Sequence, residues 1–387
     1  MILIKRKLWP VVVFVQVLGA CSNDTEQSVQ MNQLDTKKES RTHQHHYPQP
    51  TGNFNVGVKT FDIASYQEDR VSPVLGVLRN LHITVFYPSD TLNQNYHPYF
   101  DKWGKQAAYL EGLRPADAPN HPEQHQLSDM SSWSILDAPI AQHERTGWPV
   151  LFYSHGLGLF ETDNRELLET LASHGFVVVA INHTYLAGVT TFNTGKSTHL
   201  YLPEEQQDVT TPLGRTYFDT TVAAQIGQDV QLTHEWLLWH QWHLDHQIDL
   251  RNIGTLGFSL GGSAAMNGCQ LIAYCIAAAN MDGIVLGTVA QQPLNKPLLL
   301  LSASTPFSQL NSTFTANQAE THLVTIIGSE HNDFTDQNRW IVGYPSAVNP
   351  DVMHQIVKES MTTFFKAHLT NQSFVLPQRH GVHIISK

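Results

Sequence analysis

Cysteine is scarce in this chain of 387 residues, which contains three, at positions 21, 269 and 275. So few cysteines exclude a fold that depends on a network of disulfides. Charged residues make up only 15% of the chain, and the formal net charge is −11 at pH 7. Because an acidic balance repels phosphate backbones, nucleic acid is excluded as an expected partner. Apolar residues are present in ordinary amount, at 41%, which suffices for a large globular core.

The first residues have the pattern of an export signal. Basic residues at 5–7 precede an apolar stretch at 8–18, which is too short to cross a bilayer as a helix. The stretch leads into Leu-Gly-Ala-Cys at 18–21, which resembles the lipobox of bacterial lipoproteins, in which the cysteine is lipidated and becomes the N-terminus. This resemblance implies lipidation at Cys21 and contact with a membrane through the lipidated N-terminus. A plain secretory signal with an incidental cysteine is the alternative.

The segment after the cysteine completes the predicted organisation. Ser22 follows Cys21, and in such lipoproteins a residue other than aspartate there implies sorting to the bacterial outer membrane. Residues 22–52 hold almost no large apolar side chains, so they cannot bury enough surface to become ordered. Removal of residues 1–20 takes away three positive charges and changes the net charge from −11 to −14. We therefore expect a lipoprotein signal peptide at 1–20, a lipidated cysteine and flexible tether at 21–52, and one large domain at 53–387.

In that domain, short β-branched runs alternate with longer segments of helical periodicity. Strands are predicted at 56–63, 81–87, 150–153, 177–181, 253–257, 275–281, 298–302 and 323–327, and helices at 161–174, 220–239, 261–271 and 352–368. The alternation predicts an α/β fold, with a mostly parallel central sheet and helices on both faces. Such sheets bind their ligands at the carboxyl ends of the strands. The stretch 90–147, rich in His, Pro and Asp, is predicted to be irregular and is a candidate lid.

A G-x-S-x-G pattern at 257–261 lies between a predicted strand and a predicted helix. In that setting the pattern indicates a nucleophile elbow, a sharp turn that presents the serine, here Ser259, at a strained backbone angle. Glycines are needed beside the serine because side chains there would collide. Since a serine hydroxyl is a poor nucleophile at neutral pH, it requires a base to take its proton and an acid to hold that base.

Chain order predicts the two partners of this serine. The architecture places an acid and then a histidine after the nucleophile, and the one aspartate between Ser259 and His331 is Asp282, directly after the strand predicted at 275–281. A turn or capping aspartate before Gly283 is the alternative. His331 follows the last predicted strand by a short loop, where the base must be carried, although other histidines lie near it in the sequence. Ser259, Asp282 and His331 are therefore the predicted catalytic triad.

A second loop supplies the expected oxyanion donors. The sequence Ser-His-Gly-Leu-Gly at 154–158 follows a predicted strand and resembles the histidine-glycine loops of esterases and lipases. Small residues let the backbone approach a substrate, so the amide of Leu157 is predicted to face the developing oxyanion beside the amide of Leu260. A glycine-containing turn without a ligand is the alternative. His155 is expected to support this loop rather than to act as a base.

Five motifs, taken together and in order, resemble the platelet-activating factor acetylhydrolase family, its plasma-type enzymes and their bacterial relatives. They are SHGLG at 154–158, LASHGF at 171–176, GFSLGG at 257–262, NMDG at 280–283 and GSEHNDFTD at 328–336. The similarity extends over residues 54–370 and implies an α/β-hydrolase fold. It also implies a calcium-independent esterase, whose animal members prefer short or oxidised sn-2 acyl chains of phospholipids.

The resemblance assigns the same residues to the site. Ser259 matches the family's nucleophile, Asp282 its acid and His331 its base, and the amides of Leu157 and Leu260 match the oxyanion hole. One departure is Phe258, where the family usually has histidine before the serine. We expect altered packing under the elbow there rather than lost activity, because the partner of the hydroxyl is unaffected.

Three functions stay open on the sequence alone. The first is hydrolysis of short or oxidised sn-2 acyl esters of phospholipids, the second is general carboxylesterase or lipase action on neutral or polymeric esters, and the third is a non-catalytic surface lipoprotein that binds lipid or a partner. No cofactor is expected, and no metal. His240, His243 and His246 have a spacing of three residues, but they lie at a Trp-rich helix end without a convincing further ligand.

Overall fold

The computed structural model describes residues 44–45, 47–92, 95–112, 127–144, 146–340 and 346–387. The signal peptide predicted at 1–20 and the lipidation site predicted at Cys21 lie outside these residues. Strands in the described part are β1 (Gln44–His45), β2 (Asn55–Glu68), β3 (Leu78–Ser89), β4 (Tyr96–Pro98), β5 (Met130–Leu136), β6 (Trp148–Ser154), β7 (Val177–Asn182), β8 (Val189–Thr191), β9 (Ser197–His199), β10 (Ile248–Phe258), β11 (Cys275–Met281), β12 (Leu298–Ser302), β13 (Thr321–Ile326) and β14 (Val382–Ser386).

Helices connect and cover these strands. They are α1 (Lys105–Gly112), α2 (Arg165–Ser173), α3 (Pro212–Tyr217), α4 (Ala223–His240), α5 (Leu260–Leu271), α6 (Ser308–Ala316), α7 (Gln337–Trp340) and α8 (Pro350–Thr370). Among the described residues, no helix has the length and apolar character needed to cross a membrane.

One sheet of twelve strands organises the molecule. Its order is β1-β5-β2-β3-β7-β6-β10-β11-β12-β13-β14, with β4 paired to β5 and the hairpin β8-β9 apart from it. From β7 to β13 every neighbouring pair is parallel, whereas β3 and β14 pair antiparallel with their neighbours β7 and β13. The mostly parallel sheet predicted from the alternation of strands and helices is therefore present.

The central strands are apolar and buried along their whole length because helices cover both faces of the sheet. Every residue of β6, β7 and β12 is buried. On one face, residues such as Val150 pack against Ile226 and Met266 of α4 and α5. On the other face, Leu151 packs in a cluster with side chains of α2 and α8. Neighbouring residues of one strand thus serve opposite faces, as the pleat of a strand requires.

The chain changes direction in the sheet between β6 and β10. From β6 it crosses to β7 on one side, and from β10 it crosses to β11 on the other side. Loops that leave the carboxyl ends of two such strands diverge, and the crevice between them is where open α/β sheets bind ligands. The loop 155–158 leaves β6 at this point, and Ser259 leaves β10.

The stretch 90–147 is less irregular than predicted. It contains β4, α1 and β5, and β5 joins the main sheet in parallel with β2, pairing Val56 with Ser134. This strand could not be recognised from an apolar pattern, because its buried residues include Ser132 and Ser134. Their hydroxyls are buried with hydrogen-bond partners rather than replaced by apolar side chains. The prediction of an irregular stretch is therefore wrong for the described part of 90–147, and β14 in the C-terminal tail is a further strand that the pattern did not predict.

The polar segment predicted as a tether meets the fold before residue 52. Gln44–His45 pairs with β5, and the buried Tyr47 donates a hydrogen bond to the Glu169 carboxylate at 2.7 Å. The Gly52 amide donates to the Ser173 hydroxyl at 3.0 Å. The predicted boundary between tether and domain is thus several residues too late, because one aromatic side chain in a polar stretch anchors the chain.

Cys269 and Cys275 form a disulfide, with their Cα atoms 5.1 Å apart. If both cysteines were on one continuous helix, a separation of six residues would point their side chains in different directions. Helix α5 ends at Leu271, however, and β11 begins at Cys275. The helix end provides the break that pairing requires, and the bond joins the helix after Ser259 to the strand before Asp282.

Candidate active site

Ser259 occupies a sharp turn between β10 and α5. Its backbone has a φ of +55°, a region that residues with a side chain rarely adopt. The turn is tight: a Cβ on Gly257 would lie 2.0 Å from the carbonyl oxygen of Gly261, and a Cβ on Gly261 would lie 2.0 Å from that of Ser154. Both glycines are therefore required, and the elbow predicted from the pattern has the geometry that the pattern indicates.

The three predicted triad residues meet at the carboxyl ends of β10, β11 and β13. His331 Nε2 lies 2.9 Å from Ser259 Oγ, and His331 Nδ1 lies 2.6 Å from Asp282 Oδ2. The carboxylate side chain is only 2% exposed, whereas 36% of the imidazole is exposed. A buried acid, a base that opens to solvent and a hydroxyl in reach of that base are the arrangement that nucleophilic catalysis requires.

Asp282 is fixed on all sides. Its amide donates to the carbonyl of Leu301 at 2.7 Å, and its Oδ1 accepts the amide of Ala303 at 2.9 Å. Oδ2 is thereby left for His331. Because a carboxylate oxygen accepts, Nδ1 of His331 donates, and the lone pair of Nε2 faces the Ser259 hydroxyl, which donates to it. The imidazole is held in the tautomer that can take a proton from serine.

The loop 155–158 and the start of α5 lie side by side at the same edge. Gly257 pairs with Ser154 across β10 and β6, so the two chain segments leave adjacent strand ends. Leu260 is the first residue of α5, and the first amides of a helix have no acceptor within it. Leu157 lies in the turn after β6, and its side chain packs against the core. The structure thus places the two segments that carry the predicted oxyanion donors side by side at the elbow.

Two aromatic rings flank the imidazole of His331. The buried Phe258 lies with its ring centroid 4.8 Å from that of the imidazole, and Phe307 makes an edge contact at 5.6 Å. The altered packing expected from Phe258 therefore takes the form of a direct contact with His331. The contact of Phe307 with His331 could not be predicted from the sequence. Phe307 lies in the irregular segment between β12 and α6, where no periodicity indicates which side chains are buried.

A buried ion network lies behind the loop 155–158, which it reaches through His183. Arg79 binds Asp229 through Nε at 2.9 Å and Nη2 at 2.5 Å, and binds Asp69 through Nη1 at 2.7 Å. Asp229 also accepts from His183 Nδ1 at 2.8 Å. Burial raises the pKa of Asp229, but Arg79 and His183 outweigh it and hold that pKa well below its usual range. No local motif signals this network, because its members come from three distant segments.

Glu166, Asp336 and His354 form a buried cluster whose donor atoms are close enough to hold a metal ion. Its charges are already balanced, since Lys358 binds Glu166 at 2.5 Å and Arg339 binds it at 3.1 Å. A divalent ion would be placed beside two fixed cations. We therefore describe this cluster as an ion-pair network that joins α2, α7 and α8.

Comparison with known proteins supports the fold and part of the resemblance. The family model described as platelet-activating factor acetylhydrolase, isoform II, matches residues 39–213, which include the loop 155–158 and end before Ser259. No curated protein matches the chain. A solved ferulic acid esterase from Streptomyces cinnamoneus is similar at a TM-score of 0.72 and 21% identity, over 87% of this chain and 98% of that one.

Likeness at that level of identity shows the fold. The twelve-stranded sheet with helices on both faces is thus an α/β-hydrolase fold, as predicted. Over residues 39–213 the chain matches the platelet-activating factor acetylhydrolase family, and the resemblance identified from its motifs is confirmed there.

Proposed function

We propose that this protein is a serine ester hydrolase, with Ser259 as nucleophile, His331 as general base and Asp282 as the acid that orients His331. The observation that carries the proposal is the contact of 2.9 Å between Ser259 Oγ and His331 Nε2, with Asp282 2.6 Å from the other ring nitrogen. The family match supports an ester as the substrate.

The reaction proceeds by two acyl transfers. Ser259 Oγ attacks the ester carbonyl carbon while its proton passes to His331 Nε2, and the carbonyl oxygen becomes an oxyanion. The C–O bond to the leaving alcohol then breaks, and His331 returns the proton to that oxygen. A water molecule attacks the acyl-enzyme with His331 again as base, which releases the carboxylic acid and restores the Ser259 hydroxyl.

The amides of Leu157 and Leu260 stabilise the oxyanion in both steps. Each such donor is worth about 3 kcal/mol in the transition state. Asp282 keeps the imidazole in place and stabilises its protonated form, and it carries no proton itself.

Substitution of the nucleophile tests the proposal. Ser259→Ala should fold normally, yet lower the turnover of a nitrophenyl ester by roughly 10⁴-fold or more. Ser360→Ala is the matched control, because the Ser360 hydroxyl is buried on α8 and has no hydrogen-bond partner in the described structure. The control should retain full turnover. Substantial activity in Ser259→Ala would contradict the proposal.

For the substrate we propose phospholipids with short or oxidised sn-2 acyl chains, hydrolysed without calcium. The family match supports this choice. The likeness to a ferulic acid esterase favours a second candidate, a general carboxylesterase acting on neutral or polymeric esters. Rates on short sn-2 phospholipids and on short nitrophenyl esters separate the two. The first candidate also requires equal rates in EDTA and in added calcium.

We further propose that the protein is anchored through a lipid on Cys21, outside the cytoplasm. The disulfide between Cys269 and Cys275 supports an oxidising compartment. Mass spectrometry of the N-terminal peptide tests the anchor: a diacylated Cys21 is expected, and an unmodified peptide indicates a plain secretory signal. A fluorophosphonate that fails to label Ser259 in folded protein would favour the third candidate, a lipoprotein that binds lipid or a partner without turnover.

A further inference from the structure

Both peptide groups of Gly156, in the oxyanion loop, are held by buried side chains. The Gly156 amide donates to Asp163 Oδ2 at 3.3 Å. Its carbonyl oxygen lies 2.7 Å from His155 Nδ1 and also accepts the amide of Leu159 at 3.1 Å. His155 is 2% exposed and Asp163 is fully buried. The glycine that precedes Leu157 therefore has no free polar group.

The hydrogen bonds around His155 determine where its proton resides. The backbone amide of His183 approaches His155 Nε2 at 3.0 Å. A backbone amide can only donate, so Nε2 accepts. Burial lowers the pKa of His155 to about 3, which keeps the ring neutral with a single proton. That proton is on Nδ1, and Nδ1 donates to the carbonyl of Gly156.

The same peptide unit carries that carbonyl and the amide of Leu157. In a planar trans peptide the C=O and the N–H point in opposite directions. A donor fixed on the Gly156 carbonyl therefore fixes the direction of the Leu157 N–H. It also polarises the peptide, which makes that N–H a stronger donor.

We propose that His155 is a positioning residue for the oxyanion hole: its Nδ1–H holds the Gly156 carbonyl so that the Leu157 amide faces the ester oxygen. This inference rests on the proposed ester hydrolase function. In this role His155 orients the peptide between Gly156 and Leu157 and takes no part in proton transfer. Its Nε2 is occupied by the His183 amide, so His155 is not a second base.

Two substitutions separate the two nitrogens of His155. An asparagine places its amide NH₂ near the position of Nδ1 and can still donate to Gly156. A glutamine reaches the position of Nε2 and can still accept from His183, but it loses the donor to Gly156. His155→Asn should therefore preserve the direction of the Leu157 amide, and His155→Gln should lose it.

The readout compares a carbonyl ester with its thionoester, in which sulfur replaces the carbonyl oxygen. Sulfur accepts hydrogen bonds weakly, so an intact oxyanion hole favours the oxygen substrate. His155→Gln should lower kcat on the oxygen ester by roughly 10- to 100-fold, with KM little changed, and reduce the oxygen-to-sulfur rate ratio by a similar factor. His155→Asn should keep both quantities within about threefold of the wild type, because the donor is retained.

Equal losses in the two variants, or an unchanged rate ratio in His155→Gln, would overturn the proposal. Because both substitutions are buried, ¹⁵N NMR of the histidine rings supplies a test on the unaltered protein. A neutral ring protonated on Nδ1 that does not titrate between pH 5 and 8 is expected for His155, following its pKa of about 3. A ring at this position protonated on Nε2 overturns the proposal. Wild-type protein that lacks ester turnover and fluorophosphonate labelling would instead remove the proposed function.

Discussion

The ring of Phe258 lies against the imidazole of His331, with their centroids 4.8 Å apart and their planes at 33°. Phe258 also fills the space beside Gly156, where a Cβ would be only 2.9 Å from the phenyl ring. One buried side chain, adjacent in sequence to the proposed nucleophile Ser259, thus contacts the proposed base His331 and the glycine of the loop 155–158. Its packing couples two parts of the site that are distant in the chain.

Shortening this ring should affect catalysis more than stability. We expect Phe258→Leu to destabilise the protein by about 1–2 kcal/mol. Its kcat should fall roughly 10-fold, since a small displacement of a catalytic group is costly. The control is Phe364→Leu, a fully buried phenylalanine of α8. It should cost comparable stability and leave kcat unchanged. Thermal unfolding and ester turnover measure the two effects, and equal kcat in both variants would refute the role of Phe258.

The acid should matter through the orientation of the base. Asp282→Asn presents an amide to His331 Nδ1, which favours the tautomer with its proton toward Ser259. Turnover should fall by about 10⁴-fold while the fold is retained. Glu330→Gln is the control, because this exposed carboxylate precedes His331 and contacts Asp333 rather than the triad. Its kcat should match the wild type. More than a tenth of wild-type turnover in Asp282→Asn would contradict the assignment.

The strands that carry the site could be predicted because their burial leaves a simple signal. Cys275–Met281 and Leu298–Ser302 have the bounds expected from apolar runs alone. A strand covered on both faces contains little besides apolar residues. Chain order within this fold then leaves few residues to choose from for acid and base. The positions of Ser259, Asp282 and His331 follow from these two constraints.

Features that depend on distant partners could not be predicted. Ser134 is buried in β5, where hydrogen bonds with remote groups replace apolar contacts, so the strand looks like polar loop in sequence. Asp163 and the amide of His183 reach the oxyanion loop from segments after β6 and β7. Periodicity reports which face of an element is buried, and it does not report which groups meet there.

The disulfide should contribute to stability without affecting the chemistry. It closes a short loop, because its cysteines are separated by six positions in sequence. Closure of so short a loop stabilises the folded state by about 2 kcal/mol. The double variant Cys269→Ala/Cys275→Ala should lose about this free energy of unfolding and keep its kcat at 25 °C. Reductant should lower the Tm of the wild type and leave that of the double variant unchanged. A reductant-sensitive Tm in the double variant would exclude the disulfide as the cause.

Buried neutral histidines should make the protein sensitive to acid, and His155 is the one whose share can be isolated. Burial lowers its pKa from 6.5 to about 3 in the folded state. Between those values the unfolded chain binds a proton that the folded chain does not, so stability is lost as pH falls below about 6.5. At pH 5 the loss from this one group amounts to roughly 2 kcal/mol.

Asp163 acts in the opposite sense, since burial raises its pKa to about 8, so its contribution to stability declines as pH rises toward that value. This contribution is common to wild type and His155→Asn and cancels in their difference. Urea unfolding at pH 7 and pH 5 should therefore show a smaller loss of stability in His155→Asn than in the wild type, by about 2 kcal/mol. Equal losses in the two proteins would mean that His155 is as easily protonated folded as unfolded.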